Sequence, residues 1–385
     1  CKNLSKKYSF IKTINHNKNL GVGISRNDGI RISQGKYLIF LDSDDSLFNN
    51  SLIGLKKFIF LKSNPDVIVV RFKKDTFPHS NYKLIRSNQK NTKKSENFIN
   101  YLNKTKSPFA DCWFFSVKKS FLLNNKILFP NTRFGESEFF VAKTICLMKR
   151  YAFFSKKFYN KNDRDSSLNH SDDYNATSSV LISLIQFSIF KKNYTLSKVK
   201  EEFINRYIQD GFGVFSALII LRKKNEIKKL SNILEKNKNN IKSLVKEPEN
   251  LDLYLMIKKY GSYKGLLNYR NKIINEKVSI VKDIGNKYNQ IYTYCRSKYA
   301  AATIGALKES KFRIKGIIDD NITFSNTSFL SYKTINSVAF FKKNKKKLSK
   351  TAILIAHQRV KTLNKISRQL IKKGLDKNQI VPIKF

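Results

Sequence analysis

Three aspartates within four positions, Asp42, Asp44 and Asp45, are the residues of this sequence best suited to chemistry. They follow the apolar run 38–41, which predicts a short strand buried on both faces. Asp42 therefore lies at the carboxyl end of a strand, where open α/β sheets bind ligands. Because three adjacent carboxylates repel one another, we predict a bound cation, Mg²⁺ or Mn²⁺, that bridges to phosphate oxygens. The alternative is an acidic turn that caps the next helix.

A glycine-containing segment precedes this strand and continues into a predicted helix over 24–33. Arg26 lies early on that helix, near the three aspartates. Its planar guanidinium is suited to binding a diphosphate through two parallel hydrogen bonds. The alternative for Arg26 is a surface ion pair.

The segment from Asn19 to Gly29, followed by Gly35 to Asp45, resembles the pattern N-x-G-x-x-x-A-R-N-x-G and A-x-G-x-Y-I-x-F-x-D-x-D-D of family 2 glycosyltransferases. The match is close over residues 17–50 and weaker to about 170. The resemblance implies a GT-A fold and transfer of a sugar from a nucleotide-sugar donor, with a divalent metal on the diphosphate. It assigns donor binding to Arg26, Asn27 and Asp42. The metal set it implies is Asp42, Asp44 and Asp45.

A second acidic segment, Glu136-Ser137-Glu138, is similar to the Glu-Asp-x-x-Phe element of the same family. The family's acid deprotonates the acceptor hydroxyl, a role that suits a carboxylate at the start of a helix. Ser137 stands where the family has Asp, so either Glu136 or Glu138 takes over this catalytic role, or the activity is lost. The alternative is a helix start that carries acids for its dipole.

Three further residues are predicted to contact substrates. Trp113, the only tryptophan, either stacks on a sugar near the acceptor or fills the core, as most tryptophans do. Arg164 belongs to a segment similar to the family's Arg-x-x-Ser-(Ile/Leu) element and is a donor-binding candidate. His170, on the same polar loop, is an acceptor-binding candidate.

The periodicity predicts an α/β fold in three parts. Residues 1–171 form a partial GT-A-type, Rossmann-like mixed-sheet domain, with strands over 8–14 and 66–72. Residues 172–286 form a helical extension, either a bundle or a cationic surface for a membrane. Residues 287–385 form a small Rossmann-like α/β domain.

This C-terminal domain resembles a module appended to some sugar-modifying enzymes, which begins Tyr-Gly-x-Gly-x-x-Gly. Tyr294, Asp319 and Asp320 match it, but the three glycine positions are occupied by other residues: Cys295, Ser297 and Ala300. Because those glycines allow the backbone to approach a pyrophosphate, we expect a structural or partner-binding module rather than a dinucleotide site.

The chain is strongly basic, with 75 Lys and Arg against 28 Asp and Glu and a net charge of +47. The lysines are scattered and no nucleic-acid recognition motif is present, so we expect no nucleic-acid partner. Four widely spaced cysteines indicate a reducing compartment. We expect a cytoplasmic protein, with peripheral contact to an anionic membrane. Members of the resembled family normally begin with a strand that ends in an apolar-Pro-x-Tyr/Phe-Asn turn, followed later by an Asp-Gly-Ser segment. Neither is found in this sequence, so we expect amino-terminal truncation.

Two functions remain open at this point. The first is an inverting, metal-dependent glycosyltransferase of surface polysaccharide synthesis, acting on a glycan or lipid-linked acceptor. The second is a catalytically degenerate relative that serves as a scaffold or glycan binder, as Ser137 and the missing glycines suggest.

Overall fold

The computed structural model describes residues 2–61, 64–72, 93–105, 111–132, 135–160, 162, 174–241, 248–321, 324–357 and 360–385. These residues form two compact units: one holds Cys1–Ser167 with Gln186–Tyr207, and the other holds Leu168–Ile185 with Ile208–Phe385. The helical segment predicted as a separate part over 172–286 is thus divided between the two units.

The first unit is built on a mixed sheet whose described strands are β1 (Tyr37–Ile39), β2 (Ser46–Leu47), β3 (Val67–Phe72), β4 (Lys93–Lys94), β5 (Phe115–Lys118) and β6 (Arg150–Asn160). Their order is β1-β5-β3-β6-β2, with β4 also paired to β6. Strand β3 runs parallel to β6 and antiparallel to β5. The four apolar residues that begin β3 are fully buried, so this strand is the centre of the core.

Six helices of this unit precede or connect the strands: α1 (Lys2–Lys7), α2 (Val22–Ile32), α3 (Ser51–Leu61), α4 (Ser95–Thr105), α5 (Lys119–Asn124) and α6 (Glu136–Leu147). Two longer helices follow, α7 (Tyr174–Asn193) and α8 (Lys198–Ile220). The apolar stripe of α7 is buried, as Leu181, Leu184 and Ile185 show. This stripe is packed inside the protein, which favours the bundle over the membrane surface for this helix.

Two strand predictions need correction. The segment 8–14 forms no strand, because it continues from α1 through a turn in which the Ile11 amide donates to the Tyr8 carbonyl. Its Phe10 side chain stays exposed. The run 38–41, which contains the end of β1, is buried on one face only, since β1 lies at the sheet edge and Leu38 and Phe40 are buried while Leu41 is exposed.

The second unit contains a mainly parallel sheet: β7 (Gln290–Tyr294), β8 (Gly316–Asp319), β9 (Ser328–Phe329), β10 (Tyr332–Asn336), β11 (Thr351–His357) and β12 (Ile380–Lys384). The order β12-β11-β7-β8-β10 is that of a Rossmann-like sheet, and β9 adds an antiparallel edge. Its helices are α9 (Lys224–Lys236), α10 (Lys238–Ile241), α11 (Pro248–Gly285), α12 (Lys298–Glu309), α13 (Ser337–Lys343) and α14 (Val360–Lys372). The predicted α/β fold class is therefore confirmed.

The turn after β7 is held by the protein's own groups. Cys295 has a left-handed backbone with φ of 67°, the conformation that glycine adopts most easily. The Asp319 carboxylate accepts hydrogen bonds from the backbone amides of Arg296 and Asn321. The Ser297 hydroxyl caps α12 by accepting from the Ala300 amide. These contacts hold the turn by hydrogen bonds within the protein, and the structural or partner-binding role of this domain stays a prediction.

None of the helices in the described part of the chain is both long and apolar enough to cross a bilayer.

Candidate active site

The three aspartates form a tight turn at the carboxyl end of β1. The turn is closed by a hydrogen bond from the Asp45 amide to the Asp42 carbonyl. The Tyr159 hydroxyl, at the end of β6, donates to Asp45 Oδ2 at 2.7 Å and accepts from the Asp42 amide at 3.2 Å. Asn162 donates its amide to Asp45 Oδ1 and its side chain to the Asp44 carbonyl. Both ends of the turn are thus fixed to one strand.

Arg26 joins this turn to the acidic segment at the start of α6. Its Nη2 donates to Asp42 Oδ1 at 2.6 Å, and its Nη1 donates to Glu136 Oε1 at 2.8 Å and to Ser137 Oγ at 3.1 Å. Burial lowers the pKa of Arg26, but nearby Cys112, Asp42 and Glu136 raise it by more, so the net shift is upward. Arg26 therefore remains a cation that holds two carboxylates on one guanidinium.

Glycine allows α2 to approach the segment before α6. A Cβ on Gly23 would lie 2.7 Å from the Pro130 carbonyl oxygen and 3.4 Å from Glu136 Cβ. Any side chain at this position would push apart the backbones that carry Arg26 and Glu136. Close packing thus explains why position 23 is a glycine, although it is not one of the glycines of the family pattern.

Asn27 has a structural position rather than a substrate-facing one. It is buried, and its side-chain amide both donates to the Phe129 carbonyl at 2.9 Å and accepts from the Phe129 amide at 2.8 Å. We therefore infer that Asn27 holds α2 to the backbone of residue 129. These bonds favour that role over the donor contact predicted from the sequence.

Replacing Asn27 with Leu is expected to destabilise the first unit by about 3 kcal/mol, because the buried Phe129 amide and carbonyl each lose their partner. Urea unfolding followed by the fluorescence of Trp113, the only tryptophan, measures this change. The same change at exposed Asn49 should shift stability by less than about 0.5 kcal/mol. Equal losses in both variants would contradict the role of the Asn27 amide.

Glu136 and Glu138 occupy different environments. Glu136 is buried against Arg26, whereas Glu138 is exposed. Two residues of a helix separated by one position point about 200° apart. Ser137 lies between them, with its Oγ in contact with Arg26 and 3.6 Å from Cys112 Sγ. Of the two predicted carboxylates, the structure brings only Glu136 into contact with Arg26.

Comparisons with known proteins identify this segment. The model of the family described as glycosyl transferase family 2 matches residues 1–123. This N-terminal segment of the chain is therefore similar to glycosyl transferase family 2. A cholesterol galactosyltransferase of Borreliella burgdorferi is 28% identical over 177 residues, which cover 43% of this chain. The chain spans only 48% of the length of that relative.

Solved structures of S. aureus TarS, residues 1–349, are also similar. One crystal structure of TarS 1–349 has a TM-score of 0.45 and 19% identity, covering 70% of this chain and 76% of TarS 1–349. The complex with UDP-GlcNAc has the same TM-score and coverages, with 20% identity.

The hydrogen bonds of the aspartate turn reduce the set of residues that could bind the predicted metal. Among the described residues, no group of three His, Cys, Asp or Glu side chains is arranged to hold a metal. Both oxygens of Asp45 bind Tyr159 and Asn162, so we assign Asp45 to the turn rather than to a metal. The carboxylates of Asp42 and Asp44 are therefore the candidate metal ligands. They would fit Mg²⁺, which binds one or two protein carboxylates and takes its other ligands from phosphate and water.

Trp113 fills the core of the first unit. Its side chain is 2% exposed, and its ring stacks on Phe114 and on Tyr159, with centroids 4.1 and 4.8 Å away. This burial favours the core alternative over the predicted acceptor contact. Through Tyr159, Trp113 supports the aspartate turn. The other two substrate candidates, Arg164 and His170, lie outside the described residues.

Sequence reasoning missed Tyr159, Asn162 and Cys112. Tyr159 and Asn162 lie more than a hundred positions from the turn they hold, and no motif marks them. Burial raises the pKa of Cys112 to about 12, so its thiol stays protonated near neutral pH and is no nucleophile. Only the folded chain places these three residues at the site.

Proposed function

We propose that this protein transfers a sugar from a nucleotide-sugar donor to a hydroxyl acceptor. The observation that carries the proposal is the link from Asp42, at the carboxyl end of β1, through Arg26 to Glu136 at the start of α6. Asp42, the candidate cation ligand, and Glu136, the candidate base, are thus both paired with one guanidinium. The family 2 match over residues 1–123 supports the same reaction class.

On the donor side, Asp44 and Asp42 are the residues that would hold Mg²⁺ or Mn²⁺. Such an ion would supply positive charge to the departing nucleoside diphosphate. Arg26 keeps Asp42 in place through a 2.6 Å hydrogen bond, and Tyr159 keeps the turn in place through Asp45. Burial raises the pKa of Tyr159, and its bond to Asp45 raises it further, so Tyr159 acts as a neutral donor.

On the acceptor side, Glu136 is the carboxylate we assign to deprotonating the hydroxyl. Ser137 has no group that takes up a proton near neutral pH. Glu136 uses Oε1 for Arg26, which leaves Oε2 as the oxygen for an acceptor hydroxyl. Attack of the deprotonated hydroxyl on the sugar carbon, from the face opposite the departing nucleoside diphosphate, would give an inverting transfer.

The acceptor and its setting are part of the proposal. The similar protein of Borreliella burgdorferi is named for galactosyl transfer to cholesterol, a membrane lipid. By analogy we assign a lipid-linked or glycan hydroxyl to this chain, and a role in assembling surface polysaccharide. A donor in the cytoplasm and an acceptor at the anionic membrane surface fit the chain's charge of +47.

A non-catalytic scaffold is the second candidate. Two observations favour it: Ser137 replaces the family's acid, and Arg26 already pairs with both Glu136 and Asp42. Calorimetric titration with nucleotide-sugars in the presence of Mn²⁺ separates the candidates. An enzyme gives metal-dependent heat and nucleoside diphosphate release, whereas a scaffold gives neither.

Replacing Asp44 with Asn is expected to lower the rate of nucleoside diphosphate release about 100-fold and to raise the Mn²⁺ concentration needed for half-maximal rate. The amide keeps the size of the side chain but removes its charge. The measurement is the initial rate with a panel of nucleotide-sugars at increasing Mn²⁺. Exposed Asp283, in the second unit, provides the control through the same change. An unchanged rate in the Asp44 variant would overturn the proposed donor site.

A further inference from the structure

The outward face of α3 is unusually apolar for an exposed helix. Its exposed positions recur as pairs four residues apart, which places them on one side of a helix. The apolar members are Leu52 (53% exposed), Ile53 (56%), Phe60 (90%) and Leu61 (78%). Lys56 and Lys57 form the middle pair and are also exposed. We call these six residues the α3 face.

The opposite side of α3 packs against the sheet of the first unit. Leu55 is fully buried. The Phe58 ring lies 5.4 Å from the Phe154 ring of β6, edge to face. Gly54 also lies against Phe154. The helix is therefore anchored on the sheet by one side and presents the other to its surroundings.

The charge on the α3 face is entirely positive. In the described part of the chain, neither Lys56 nor Lys57 has a carboxylate within ion-pairing distance. Further cations flank the helix: Lys156 and Lys157 are exposed on β6, and Lys157 lies 5.8 Å from the Phe48 ring just before α3. Large apolar side chains interleaved with lysines are the composition of helices that lie in the interface of an anionic bilayer.

We propose that the α3 face is a membrane-docking surface that binds anionic phospholipid. Leu52, Ile53, Phe60 and Leu61 would enter the boundary between headgroups and acyl chains. Lys56 and Lys57 would lie at the level of the phosphates. This binding is independent of the proposed sugar transfer and needs no donor, although α3 follows the aspartate turn directly in the chain.

Flotation of the 385-residue protein with vesicles tests the proposal. We expect binding to vesicles of phosphatidylglycerol mixed with phosphatidylcholine, little binding to phosphatidylcholine alone, and weakening by salt. Phe60→Ser should reduce binding to the anionic vesicles about tenfold, because one large apolar side chain is lost from the interface. Phe10→Ser, the same change at another exposed phenylalanine of the same unit, should leave binding unchanged.

A second pair of variants separates local from total charge. The double variant K56E/K57E should weaken binding by more than about 25-fold. Each lost lysine accounts for a factor of about five, and the two added carboxylates weaken binding further. K342E with K343E, two exposed lysines of α13, changes the net charge equally and should have little effect. Trp113 fluorescence during urea unfolding verifies that the α3 and Phe10 variants fold alike, and far-ultraviolet circular dichroism during urea unfolding does so for the α13 variant in the second unit.

Three outcomes would overturn the proposal. The first is no binding of the unaltered protein to anionic vesicles. The second is an equal loss in the α3 and control variants, which would indicate attraction by net charge alone. The third is self-association in sedimentation velocity that Phe60→Ser abolishes, without vesicle binding, which would assign the α3 face to a second copy of the chain.

Discussion

Replacing Arg26 with Met is expected to destabilise the first unit by about 3–5 kcal/mol, because the buried Glu136 carboxylate loses its cation. The same change should lower any transfer rate about 100-fold or more, since Asp42 and Glu136 lose the group that sets their separation. Stability is measured by urea unfolding with Trp113 fluorescence, which reports on the unit that contains the site. Activity is measured as nucleoside diphosphate release.

Arg31 on the same helix provides the matched control. Its guanidinium is mostly exposed and pairs with Asp28 at the surface. Surface pairs contribute little, so Arg31→Met should cost less than about 1 kcal/mol. If both variants lost the same stability, the Arg26 contacts would have no special role in the fold. If Arg26→Met unfolded but Arg26→Lys folded with a reduced rate, the fork geometry rather than the charge alone would be required.

Replacing Glu136 with Gln is expected to lower kcat by about 100- to 10,000-fold with little change in KM for the donor, because general-base catalysis is lost. The amide still accepts a hydrogen bond from Arg26 through its oxygen, so the fold should persist. Steady-state kinetics with a nucleotide-sugar donor and a lipid or glycan acceptor measures the effect.

Glu138→Gln is the natural comparison, because it makes the same chemical change on the same helix. Glu138 is exposed and points away from Glu136, so we expect its kcat to change less than about threefold. A large loss in the Glu138 variant with a small one in the Glu136 variant would reverse the assignment of the base. Losses of similar size in both would indicate that the helix start, rather than one carboxylate, is required.

Much of the fold was predictable because its signals are local. The helix α2, the strand β3 and the alternating strands and helices of the C-terminal sheet all follow from apolar periodicity and glycine positions. The segment 8–14 shows the limit of this reasoning. It has the apolar character of a strand, but a strand also needs a partner, and its side chains stay exposed.

The roles of individual residues were less predictable. Asn27 and Trp113 belong to motifs that suggested substrate contacts, yet one holds the Phe129 backbone and the other fills the core beside Tyr159. A motif shows which residues occur together. It does not distinguish residues that contact a substrate from residues that only position those contacts. That distinction requires burial and hydrogen-bond partners.

The sequence by itself determined the resemblance of residues 17–50 to family 2 glycosyltransferases, the aspartate turn that follows a strand, and the Rossmann-like C-terminal sheet. Each of these features depends on residues within about ten positions of one another along the chain, so a sequence pattern can encode it. Only the tertiary structure decided that Arg26 joins Asp42 to Glu136, that Tyr159 holds the turn, and that α3 exposes its apolar side chains. These are contacts, or missing contacts, between residues far apart in the chain, and packing alone brings such residues together.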